Sequence, residues 1–389
     1  MKLTRLLTAS ICAGIFCCAS ASDRNNTTDS IPAFDGTQTI TFTETVPFAL
    51  PQGMAVVPSG EPIVISAVTF PDEVKNMYVP KLHGVIRTRW EGEFGEDGFG
   101  QRFQVRNARV NVGGNVMRQL SYFIQADFSD RGKVLFLDAW GQWEFNSHWK
   151  IRAGQFRVPY GTDCFRGPGT YYFANRSFVV KNILNLRDVG VRLGYYGSGK
   201  LPLTVEAGIF NSADKSNHEV WQREMNYAVK ASYRIGDFTL SPSFISYRPH
   251  DVRINIAGGA VTWQSGRWIA EGEYANKHYT NSAHRAVDAW NLFASYTLPL
   301  KNVALDQLSF QGRFDGMTGH STGASDESGH LTTDNPARRR ITAGVSAAHV
   351  AGTLKGLVRI NYEKYFYNRG VAAPQGSDDK IVAELVIKF

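Results

Sequence analysis

Cysteine is scarce in this chain. Its 389 residues include four, and Cys12, Cys17 and Cys18 all fall in the apolar run Leu6–Cys18 near the N-terminus. Only Cys164 is left beyond that run, which excludes an intrachain disulfide and marks the thiol as structural or incidental. Long hydrophobic runs are missing too. After the first run no apolar stretch approaches 18 residues, so no transmembrane helix is expected. Catalytic and metal-binding signatures are thin. The nine histidines are scattered without ligand spacing, and neither a His-Glu-x-x-His helix nor a Walker loop is present. No catalytic residue, metal site or cofactor is predicted. A barrel enzyme would need a Ser/His or Asp/His cluster at a rim, and nothing in the sequence sets His278, His284 or His320 against such a partner.

What is present begins with an address. Lys2 and Arg5 precede the apolar run, and Ala19-Ser20-Ala21 follows it, the pattern of a cleaved export signal over residues 1–21. Lipidation is disfavoured because the residue before either Cys17 or Cys18 is not small. Charge is uneven. Of the formal +7, Lys2 and Arg5 supply two, and residues 22–78 hold five more acids than bases, so residues 79–389 carry +10. A basic surface can attract nucleic acid, but an exported chain does not meet it. A basic lumen would instead draw anions.

Residues 22–78 are rich in Thr, Pro, Gly and acids, and read as a loosely ordered periplasmic extension with short strands near Thr39–Thr43 and Ile63–Val68. From Leu82 onward the pattern turns regular. Apolar and polar residues alternate in runs of about ten, the length of a tilted membrane strand. The spacing predicts sixteen strands, at 82–93, 102–112, 120–128, 134–145, 149–157, 189–196, 202–210, 225–235, 238–247, 253–264, 267–278, 287–298, 307–316, 339–350, 357–367 and 380–389. Links after even strands are short and rich in Gly, Asn or Asp, whereas long links follow odd strands. A soluble sandwich has no reason to sort its loops this way. The last strand is the clearest. Ile381, Ala383, Leu385, Ile387 and Phe389 share one face, and Lys380, Glu384 and Lys388 the other. Phe389 would sit in the aromatic girdle of an all-β, antiparallel transmembrane barrel in the bacterial outer membrane.

The longest link, near 158–188, is not a polar spacer. It contains Tyr160, Phe165, Tyr171, Tyr172, Phe173 and Phe178. Such a loop is expected to fold into the lumen and narrow it, in preference to capping the mouth.

Five stretches carry a likeness to a known family: Phe103–Gly114, Asp138–Glu144, Arg152–Gly161, Arg187–Gly194 and Gly208–Asn211. In this order and spacing they resemble the phosphate-selective porins O and P. The resemblance implies a sixteen-stranded outer-membrane barrel, usually a homotrimer, that lets small anions or small polar solutes pass without catalysis. The family's best-known members line the pore with a ladder of arginines and a ring of lysines. Here Lys is sparse in strands two to six and Arg is commoner, so the part that carries over is an anion preference. An adhesin or ligand-binding barrel using its surface loops is the alternative of a different class.

A charged group facing lipid costs about 2–4 kcal/mol at the midplane. Arg87, Arg89, Arg109, Lys150, Arg152 and Arg192, each opposed by apolar neighbours along its strand, are therefore the candidate pore-lining residues. Arg157, Arg166, Arg176 and Lys181 are the candidates on the constriction loop. Arginine suits phosphate or carboxylate because its fork donates two parallel hydrogen bonds. Asp127, Asp138 and Glu144 lie on neighbouring strands and could tie some of these cations to the wall.

Overall fold

The computed structural model describes residues 78–389 apart from 97, 131, 132, 200, 212–220, 222, 251, 301–304, 334 and 353. The leader and nearly all of the 22–78 segment lie outside the described residues. The rest is built of sixteen strands: β1 (Lys81–Gly95), β2 (Gly98–Met117), β3 (Leu120–Asp130), β4 (Lys133–Glu144), β5 (Trp149–Arg157), β6 (Arg187–Tyr196), β7 (Leu203–Phe210), β8 (Asn226–Ile235), β9 (Phe238–Tyr247), β10 (Ile254–Ser265), β11 (Trp268–Tyr279), β12 (Val287–Pro299), β13 (Gln307–Met317), β14 (Arg338–Ala351), β15 (Leu354–Tyr367) and β16 (Asp379–Lys388). Each pairs antiparallel with its neighbours, and β1 pairs with β16 to close a barrel. Closure leaves no sheet edge along the span, the condition for crossing a bilayer with strands. Among the described residues no helix is long and apolar enough to cross a membrane.

Alternation along β16 sets the orientation. Glu384, Lys380, Val382 and Val386 are buried, whereas Leu385, Ile387 and Phe389 are about two-fifths exposed. Charge inside and bare hydrocarbon outside is the reverse of a water-soluble sheet. The connections after even strands are short and lie at one end of the barrel; the long ones lie at the other end, together with the tight β1–β2 turn.

The strand ends differ from the sequence expectation chiefly in β2. It runs from Gly98 to Met117, well beyond 102–112 at both ends. Its upper part pairs with β1 as far as the tight turn at Gly95–Gly98, while its pairing with β3 begins only at Arg109. The low apolarity of Gly98–Arg102 hides this extension from a periodicity count.

The core lies inside the barrel. The link between β5 and β6 enters the lumen, and its Val158, Tyr160, Cys164, Phe178, Val179, Val180, Ile183 and Leu184 pack with wall residues Phe156, Phe210, Ile245, Ile254, Ile256, Tyr279, Val287 and Met317. A one-turn helix, α1 (Phe178–Asn182), is started by the Ser177 hydroxyl, which accepts the Val180 N–H at 3.4 Å.

Phe389 completes the seam. Its N–H donates to the Gly84 carbonyl at 3.0 Å and its carbonyl accepts the Gly84 N–H at 2.7 Å. Its ring reaches over Gly84, where an added Cβ would sit 2.2 Å from the ring. Deleting Phe389 removes two closing hydrogen bonds and the ring together. It is expected to cut the yield of assembled barrel in cells far more than the conductance of the barrels that do form. Gly84→Val, which pushes the ring away, should do the same more mildly. The fraction of heat-modifiable protein in isolated membranes measures both, and an ordinary yield from the deletion would refute the role.

Candidate functional site: the loop-lined lumen

Two neighbouring stretches of the wall, meeting where β1 pairs with β2, handle their charges differently. On β13 to β16 and β1, arginines hold the loop. Arg87 donates to the Ala174 carbonyl at 2.7 Å, Arg313 to that of Asn175 at 2.8 Å and Arg340 to that of Arg176 at 2.7 Å. Arg359 reaches the Tyr171 carbonyl. Three carboxylates on the same wall, Asp315, Glu363 and Glu384, pair with these four arginines. Arg340 bonds Asp315 (2.9 Å) and Glu363 (3.0 Å), and Glu384 is shared by Arg359 (2.9 Å) and Arg87. Arg89 pairs with Glu91 at 3.0 Å and reaches the Asn175 side chain at 2.7 Å. Backbone N–H groups of the loop answer in kind, with Ala174 donating to Asn361 at 2.7 Å and Phe178 to Asp315 at 2.8 Å. These side chains are almost wholly buried. A buried guanidinium needs both a counter-charge and acceptors for its remaining N–H groups, and the loop carbonyls supply the second.

At its leading edge the loop is held by acids on β11. The N–H groups of Thr162 and Asp163 donate to Glu273, and Arg166 makes a two-pronged contact with Glu271 while also pairing with Asp163.

The adjoining stretch, β2 to β6, is only partly neutralised. Arg109 pairs with Asp127 at 2.8 Å, Lys150 with Glu144 at 2.7 Å, Arg192 with Glu206 at 2.7 Å and Arg187 with Asp138 at 3.0 Å. The register then sets like charges directly opposite, Arg152 against Arg192 and Arg157 against Arg187. Such pairs repel. In each, one member has a carboxylate and the other has only an amide. Arg152 donates to the Gln142 side chain at 2.7 and 3.0 Å, and lies 3.6 Å above the Trp140 ring. Arg157 donates to Asn185 at 3.2 Å. Arg176 donates to the carbonyls of Cys164 and Arg166 and lies over Tyr171 at 4.8 Å. The Lys181 side chain is exposed on α1 with no hydrogen-bond or ion-pair partner among the described residues.

The structure therefore divides the ten candidates. Arg87, Arg89, Arg109, Lys150, Arg192 and Arg166 are tied to carboxylates. Arg152, Arg157, Arg176 and Lys181 are not. Arg106 belongs with the second group and escapes the sequence reading. Arg87 pairs with Asn107 and Thr88 with Val105, so Arg106 is the extra residue of a β-bulge. The bulge aims it into the lumen, where the groups acting on its charge are Arg87, Tyr171, Glu91 and Arg109. Its side chain is exposed and makes no ion pair or hydrogen bond among the described residues. An alternation count puts one residue on each face in turn and cannot register a bulge.

Residues 88–236 match the family model of the phosphate-selective porins O and P. The chain is an outer-membrane porin. Its barrel is similar to those of a Salmonella typhi OmpF solved with daunomycin (14% identity, 81% of this chain and 99% of that one, TM-score 0.56), the anion-selective porin of Comamonas acidovorans (11%, 80% and 98%, 0.53) and the outer membrane channel DcaP of Acinetobacter baumannii (13%, 80% and 97%, 0.53). At these identities the structures speak for the fold. No curated protein matches the sequence. Family and fold are those of channels rather than enzymes.

Two features of this porin resemble catalytic ones and are built otherwise. Gly319-His320-Ser321-Thr322-Gly323 has the Gly-x-Ser-x-Gly spacing of a nucleophile elbow, which corrects the expectation that the sequence has none. It lies in the link after β13, with no strand-to-helix turn. Ser321 is fully buried, its Oγ accepting the Gly323 N–H at 3.1 Å and its carbonyl accepting from Lys277 and Tyr279. Cys164 is likewise fully buried, and its Sγ lies 3.2 Å from the Tyr160 carbonyl. Burial pushes its thiol up to about 12. At pH 8 almost no thiolate exists, so maleimide labelling of the folded porin should be slower than of the urea-unfolded chain by about a hundredfold or more. Rapid labelling of the folded form would place the loop outside the lumen.

Proposed function

We propose that this porin is a passive, anion-preferring diffusion channel for small solutes such as phosphate, working as a homotrimer. One observation carries the reading. Arg106, Arg152, Arg157 and Arg176 flank the edge of the inserted loop without a carboxylate on any of them, while Arg87, Arg89, Arg313, Arg340 and Arg359 on the adjoining stretch of wall are paired with carboxylates. An ion passing between loop and wall meets net positive charge in a narrow, weakly screened space. The trimer rests on the resemblance to the family and on OmpT of Vibrio cholerae, a barrel of similar fold with a solved trimer form (13% identity, 80% of this chain and 98% of that one, TM-score 0.51).

Reversal potentials of the refolded protein in planar bilayers, taken across a potassium chloride gradient, test the reading. The expected sign is that of chloride permeating faster than potassium. A cation-favouring sign would end the anion reading and leave the porin fold untouched, and no stepwise conductance at all would end the open-channel reading.

A further inference from the structure

Of the six aromatic residues named on the inserted loop, five are packed against wall or loop or half-buried. Phe165 is the exception, 38% exposed. It is inside the barrel, because the residues around it bond to lumen-facing side chains: Gly161 to Ser243, Thr162 and Asp163 to Glu273, and Arg166 to Glu271. Its position is firm, closing a short 3-10 turn through the Phe165 N–H to the Thr162 carbonyl at 3.1 Å. Two cations attend the ring. Lys230 Nζ lies 4.4 Å from its centre and Arg157 Cζ 6.0 Å. The Lys230 side chain makes no hydrogen bond or ion pair among the described residues, and that of Arg157 has only the Asn185 amide.

We propose that the lumen beside Phe165 binds anions carrying an aromatic ring, aromatic carboxylates being the class, in preference to compact oxyanions of the same charge. The inference rests on the anion reading above and narrows it. A tetrahedral oxyanion is held best by several N–H donors converging on one point. Here the unneutralised cations are spread out, and four of them lie beside an aromatic face: Lys230 and Arg157 at Phe165, Arg152 at Trp140, Arg176 at Tyr171. A carboxylate on a flat ring can meet the cation with its charge and the hydrocarbon with its ring. A hydrated phosphate can do only the first. Part of the Phe165 ring stays open to the water of the lumen, and a bound ring would cover that apolar surface.

The test is made on the refolded, full-length protein in planar bilayers, by titrating sodium benzoate and sodium acetate against the single-channel chloride current. Benzoate is expected to half-block at a concentration about fivefold lower than acetate, the factor that accompanies burial of roughly 40 Å² of ring surface. Phe165→Ala should bring the two blockers to the same concentration, and Phe165→Tyr should keep them apart. Equal block by both anions in the native protein, with chloride still favoured over potassium, overturns this proposal and leaves the anion reading standing. A potassium-favouring channel overturns both. Discrimination that survives Phe165→Ala shows the ring to be bound elsewhere and also overturns it.

Discussion

Replacing Arg152 and Arg157 together with glutamine is expected to lower the chloride-to-potassium permeability ratio by about tenfold at 0.05 M salt. Neither arginine has a carboxylate within ion-pairing distance, so each contributes its full charge to the lumen. A unit charge some 8 Å from the ion path, at an effective dielectric of roughly 40, acts with about 1 kcal/mol. Two such charges suffice for the stated ratio. The change should shrink to about twofold at 1 M salt, where the screening length is only about 3 Å. Glutamine keeps an amide that can still meet Gln142 and Asn185, so the wall should stand. Arg267→Gln, in the turn between β10 and β11, removes an equal charge far from the loop and should change little. An unaltered ratio in the double variant at low salt would show that these two side chains are wall ties.

The second large effect is on stability. Asp315→Asn leaves the shape of the side chain and removes a charge that Arg340 and Arg313 both face, in a site where all three are buried. Breaking such a buried set costs about 3–5 kcal/mol. Asp315 also accepts the Phe178 N–H at the start of α1, so the loop loses a tether as well. The variant should unfold at lower urea, and its single-channel current should become larger and noisier as the loop detaches. Glu144→Gln makes the contrast. Its pairing with Lys150 is partly open to water and is worth about 0–1 kcal/mol. Equal losses in the two variants would refute the buried network as the anchor.

Much of the barrel can be read from its sequence, because in a membrane both faces of a strand are under strict demand. One must suit hydrocarbon and the other water, so a period of two persists for the whole span. Strands β5 and β9 lie where the spacing predicts them, residue for residue. The interior is less legible. Ile254 and Ile256 are apolar, yet they face inward and are buried, because the inserted loop presents hydrocarbon to the extracellular half of β8 to β13. Alternation identifies two faces but not which one another segment will cover. Charges are harder still. Arg152 and Arg192 look alike in sequence, and only the register, which brings Glu206 to Arg192 and Gln142 to Arg152, separates a neutralised arginine from a bare one.

The bulge at Arg106 has a bearing on how this wall can vary. Above it Arg102 and Gln104 point into the lumen, and below it Asn107 and Arg109 do. The phase changes from even to odd at that one residue. Losing Arg106 alone would restore plain alternation, with both halves of β2 keeping the faces they now present. Elsewhere in a regular strand, the loss of one residue turns everything beyond it inside out. Here a single codon could vanish from the gene, the barrel would still close, and the lumen would be poorer by one positive charge.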